Sequence, residues 1–137
     1  MVMTDALAYR TVLVADPSGE RGAAIVAALV RRGFAATAVQ AAHLALRLAA
    51  ARPPDAWIVD QDLPGISGAQ LVSMIRASAT RALRDAVIVG TATARTRVGF
   101  TAAGVDVFVP APATPAALAD AVDGALSKHA AAESPGK

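Results

Sequence analysis

Residues Ala56–Gly68 read AWIVDQDLPGISG, and this stretch decides the fold. Ala56–Val59 is a short, continuous apolar run, the pattern of a strand buried on both faces. It stops at Asp60. Leu63-Pro64-Gly65 marks a turn. Ser67 followed by Gln70 is a capping-box pattern, which opens a helix running through Ala77. A buried strand, a polar loop and a capped helix, in that order, make one βα unit.

The same unit recurs on either side. Thr11–Ala15 (TVLVA) is a first buried strand. The helix Ser18–Arg32 follows, with Ile25 and Leu29, and Val26 and Val30, one turn apart. Gly33 stops it. Ala35–Val39 is a weaker second strand, and the helix Ala42–Ala51 ends before Pro53 and Pro54. Beyond the central stretch come a fourth strand at Ala86–Val89, a short helix at Arg97–Ala103 and a fifth strand at Val105–Val109. Thr114 before Pro115 is an N-cap with proline at the first helical position, starting the last helix. The chain divides into an N-terminal extension over residues 1–10, one domain over 11–129 and a disordered tail over 130–137. Strands alternating with helices imply an α/β fold, a doubly wound parallel sheet covered on both faces, with right-handed crossovers.

Composition fits one globular domain. The chain has 137 residues, of which 55% are hydrophobic, enough to bury a core without staples. There is no cysteine, which excludes disulfides and thiolate metal sites. The formal charge of +2 is too small to argue for nucleic acid or an anionic membrane. The longest aliphatic run, Ala23–Val30, is far shorter than the roughly 18–20 residues of a membrane span. A cytoplasmic protein is the expectation.

In a doubly wound sheet the ligand site lies outside the carboxyl ends of the strands. The residues placed there are Asp16, Asp60, Thr91 and Ala111. If the first and third strands are neighbours, Asp16 and Asp60 converge, with Asp62 in the same loop. Like charges ~4 Å apart cost about 4 kcal/mol at an effective dielectric near 20, so such a cluster calls for a cation. Oxygen ligands suit Mg²⁺. A carboxylate beside it can accept a phosphoryl group, and the Thr91 hydroxyl can bond the new oxygens. Plainer roles also fit these residues. Asp16 before Pro17 suits a helix N-cap, and Phe108 on a buried strand suits the core. Arg95 and Arg97 suit solvated loop positions, although either has the charge to reach the site. His43 and His129 read as surface residues and Trp57 as a packing residue.

Four stretches together resemble the receiver domains of two-component response regulators: VLVAD (Val12–Asp16), IVDQDLPGISG (Ile58–Gly68), VIVGTA (Val87–Ala92) and AGVDVFVPAP (Ala103–Pro112). The resemblance covers about Thr11 to Ser127 and implies a five-stranded parallel sheet of order 2-1-3-4-5. It implies Asp60 as phosphoacceptor, and Asp16, Asp60 and Asp62 around Mg²⁺, Asp62 through its backbone carbonyl. It implies Thr91 and Phe108 as the switch pair, and Pro112 as a proline whose preceding peptide bond is often cis.

Two positions depart from the family pattern. Pro17 stands where a second acid is expected, and Ala111 stands where a lysine is expected. Both changes weaken or abolish the implied Mg²⁺ and phosphoryl contacts. The loop after Thr91 is also short, which implies a truncated fourth helix of the family pattern.

The function implied is that of a stand-alone, atypical receiver in a phosphorelay, not an enzyme. It would act through contacts with a histidine kinase, a phosphotransfer protein or a downstream signalling protein, with a homodimer left open. The first alternative is a phosphorylation-independent receiver that serves as a constitutive binding module. A remote alternative is a phosphatase with an aspartyl nucleophile.

Overall fold

Val12 and Val14 of β1 (Thr11–Ala15) pack on one side of the sheet, and Leu13 and Ala15 pack on the other. This alternation, repeated in β3 (Ala56–Asp60) and β4 (Val87–Ala92), divides the interior into two layers. The computed structural model describes residues 9–133. The first layer holds Ile25 and Leu29 of α1 (Gly19–Arg31) and Leu118 and Val122 of α6 (Pro115–Glu133). The second holds Leu71 and Ile75 of α3 (Gly68–Arg76), Phe100 of α5 (Arg97–Ala103) and three alanines of α2 (Ala42–Ala51). With β2 (Ala35–Val39) and β5 (Val107–Pro110) at the edges, the strands form one parallel sheet of order β2-β1-β3-β4-β5.

The caps account for where the helices begin and end. The Ser67 hydroxyl accepts from the Gln70 N–H, and the Gln70 side chain accepts from the Ser67 N–H, so the expected capping box is present. Thr114 Oγ1 accepts from the Ala117 N–H at 3.0 Å. Gly33 has φ +92°, a left-handed conformation that costs glycine little.

Several boundaries differ from the sequence reading. β3 and β4 run on to Asp60 and to Ala92, because ladder pairing carries the strands past their apolar runs. β5 begins at Val107 rather than Val105. Val105 closes the end of α5, its N–H donating to Phe100, and the Asp106 carboxylate accepts from the Ile88 N–H. A short helix, α4 (Arg81–Arg84), was not expected. The last helix runs through Ala130, where the tail was expected to begin. The rest of that tail, 134–137, and residues 1–8 of the N-terminal extension lie outside the described residues. No described helix is long and apolar enough to cross a membrane.

Candidate functional site

Pro17 offers no N–H to the turn after β1. The next donor is the Ser18 N–H, which reaches Asp16 Oδ1 at 2.8 Å. Ser18 rather than Asp16 is the N-cap of α1, its hydroxyl accepting from the Arg21 N–H at 3.0 Å. The cap falls there because the first helical bond runs from the Gly22 N–H to the Ser18 carbonyl. Arg21 therefore lies in the first turn, where side chains lean toward the helix N-terminus. Its guanidinium reaches back to Asp16, with Nε donating to Oδ2 at 2.9 Å and Nη2 to Oδ1 at 3.0 Å. The same Nη2 stands 3.5 Å from Asp60 Oδ2.

Asp60 ends β3, and its Oδ1 accepts from the Asp62 N–H at 2.8 Å. The loop beyond it folds tightly back. The Gly68 N–H donates to the Gln61 carbonyl at 3.0 Å, and the Ala69 N–H to Gln61 Oε1 at 2.9 Å. A Cβ at position 68 would collide with the Asp60 carbonyl oxygen, so only glycine admits this approach. Thr91 is the register partner of Asp60 on β4. The Ala111–Pro112 peptide bond is cis, as the resemblance implied. Asp16, Arg21, Asp60, Asp62, Thr91, Ala111 and Pro112 all line one cavity of about 180 Å³.

Among the described residues, the buried polar or charged ones are Asp16, Asp60 and Thr91. All three lie at the carboxyl edge of the sheet, where the sequence placed them. A larger depression of about 520 Å³ lies at the opposite edge, against Arg10, Asp55, Arg81 and Asp85. None of those residues is buried, so burial of polar groups marks the smaller cavity as the candidate site. Burial pushes the Asp60 carboxyl above the usual carboxylate range. The Asp62 N–H pulls it back, Asp16 pushes it up, and Arg21 pulls it down. The bonds to Asp16 hold Arg21 firmly protonated.

Sequence reasoning missed Arg21. It named Arg95 and Arg97 as the arginines with the charge to reach the site. Arg97 instead lies over the Phe108 ring, 5.7 Å from its centroid, and Arg95 is exposed. Phe108 is half-buried because β5 is an edge strand, and it packs tilted against Phe100 at 6.1 Å. Trp57 is fully buried, and His43 is exposed.

The residues present do not suit the implied Mg²⁺. A carboxylate has about four lone-pair positions, and Asp16 already accepts from the Ser18 N–H and twice from Arg21. Asp62 is exposed. Among the described residues no group of three His, Cys, Asp or Glu side chains that could hold a metal ion is found.

Comparisons with known proteins agree with this architecture. Residues 12–123 match the response regulator receiver domain family. No curated protein matches the chain. Among solved structures, a putative response regulator from Chloroflexus aurantiacus is similar at 22% identity and TM-score 0.79, over 87% of this chain and 98% of that one. The chemotaxis response regulator CheY4 of Vibrio cholerae is similar at 19% identity and TM-score 0.78, over 85% and 98%. The signal receiver domain of a histidine kinase from Syntrophus aciditrophicus is similar at 22% identity and TM-score 0.79, over 93% and 98%. With the match spanning all five strands and reaching into the last helix, the chain belongs to the response regulator receiver domain family.

Proposed function

We propose that this receiver domain takes part in a phosphorelay with Asp60 as phosphoacceptor, and that its output is protein–protein contact. The observation that carries the reading is the placement of Asp60. It is a buried carboxylate at the end of β3 on the cavity that Thr91 also lines, one oxygen fixed by the Asp62 N–H and the other 3.5 Å from Arg21 Nη2. Attack of that second oxygen on the phosphorus of a donor breaks the donor's P–O or P–N bond, the donor's oxygen or nitrogen keeps the electron pair, and an aspartyl phosphate results. The Thr91 hydroxyl stands ready to donate to a phosphoryl oxygen, and Phe108 is the companion of Thr91 in the switch. The partner is a histidine kinase or phosphotransfer protein upstream, or a signalling protein downstream.

Incubation with acetyl phosphate, followed by intact mass measurement, tests this. A gain of one phosphate, absent in Asp60→Asn, is the expected outcome, and no gain in the wild type refutes it. One structural feature favours a second reading, a constitutive binding module. Ala111, which lines the cavity, offers no cation to a phosphoryl group. In that case Asp60→Asn leaves partner binding unchanged.

A further inference from the structure

The acidic pocket of this domain is held together by a side chain rather than prepared for a metal ion. Asp16 is 2% exposed, and its oxygens face Arg21 and the Ser18 N–H. The Arg21 guanidinium lies between Asp16 and Asp60, where a divalent ion shared by the two carboxylates would have to sit. Arg21 is itself half exposed and lines the cavity. Pro17, the neighbour of Asp16, contributes neither a carboxylate nor an N–H.

We infer that Arg21 is the resident cation of the pocket. It neutralises Asp16 and Asp60, excludes Mg²⁺, and is the positive group that a phosphoryl group on Asp60 meets. Planar guanidinium suits this place because its donors fork onto two oxygens of one carboxylate and leave further N–H groups for a second anion. Among the described residues Arg21 Nη1 makes no hydrogen bond, so it keeps donors for phosphoryl oxygens. In the transfer itself Asp60 Oδ2 forms the new bond to phosphorus. The acyl P–O bond of acetyl phosphate breaks, and acetate leaves with the electron pair. No proton moves, the charge given up by the carboxylate leaves with acetate, and the charge on the phosphoryl oxygens faces Arg21.

This transfer step rests on Asp60 being the acceptor, whereas the exclusion of metal does not. Two measurements separate them. The first is titration of the wild type with Mg²⁺, followed by calorimetry and by Trp57 fluorescence. No saturable binding is expected, and saturable binding that Asp60→Asn abolishes would overturn the inference whatever the phosphorylation result. The second is phosphate uptake from acetyl phosphate in EDTA and in Mg²⁺, by intact mass. Equal uptake in both is expected, falling at least about tenfold in Arg21→Gln, the loss of a charge-assisted contact, with Arg21→Lys intermediate. Uptake that requires Mg²⁺, or that Arg21→Gln leaves intact, overturns the inference. Uptake in neither condition, with no Mg²⁺ binding, refutes Asp60 as acceptor and leaves Arg21 as the resident cation of a metal-free pocket. Circular dichroism of both variants checks that they fold.

Discussion

Arg21 meets Asp16 side-on across the junction of β1 and α1, Nε to Oδ2 at 2.9 Å and Nη2 to Oδ1 at 3.0 Å. The two residues differ in surroundings, since Asp16 is 2% exposed while the arginine side chain is 47% exposed. Removing the arginine therefore strands a buried charge, whereas the arginine alone is readily hydrated.

Arg21→Ala is expected to destabilise the domain by about 1–3 kcal/mol, below the full cost of breaking a buried pair because the arginine is half in water. Asp16→Asn should remove most of that sensitivity. A double-mutant cycle in urea checks this, and additive effects of the two changes would contradict the pairing.

Asp60→Asn should alter the pH dependence of stability in a definite direction. The folded-state pKa of Asp60 is raised, chiefly by burial, so the folded protein binds its proton more tightly than the unfolded chain does. Wild-type stability then falls as pH rises from the ordinary carboxylate value through the raised one, and levels off above it. The asparagine variant lacks that step. Urea midpoints measured between acid and neutral pH should diverge with rising pH, the variant gaining relative to the wild type.

Gly68→Ala places a Cβ against the Asp60 carbonyl carbon at 2.9 Å and the Gln61 Cα at 2.9 Å. The neighbouring atoms are backbone and cannot rotate aside. A loss of about 1–3 kcal/mol is expected for such overpacking, with reduced phosphate uptake because Asp60 moves. Denaturant unfolding and intact mass measure the two effects.

Arg76→Met should loosen the segment from α5 to β5. The guanidinium donates to the carbonyls of Gly104 at 2.9 Å, Arg84 at 2.8 Å and Ala86 at 2.6 Å, and pairs with Asp106 at 2.9 Å. Methionine keeps the stem and loses every donor. About 2–3 kcal/mol is expected from the lost charge-assisted bonds. Amide exchange should accelerate at Ile88 and Asp106, whose N–H groups are held in the same region.

The strands and helices were legible because their signals are local. Short apolar runs, the Ser67–Gln70 capping box and Gly33 each act within a few residues. Strand ends were less legible. Asp60, Thr91 and Ala92 join their ladders through pairing with other strands, which an apolar run does not reveal. Phe108 reads as buried along its own strand, yet β5 has a partner on one side only. Arg76 and Asp106 carry no mark of their union in sequence, being joined only where the last residue of α3 meets the residue before β5.

By itself, the sequence determined a doubly wound sheet and the edge at which Asp16, Asp60 and Thr91 gather, because short apolar runs alternating with capped helices order the strands and put these polar residues at or just past the runs' carboxyl ends. Only the tertiary structure decided which cation serves them. Arg21 lies five residues beyond Asp16, outside the spacings that pair side chains along one helix. It becomes a partner because α1 starts at Ser18 and sends that side chain back over the strand end. Asp60 comes within its reach because β1 and β3 lie side by side.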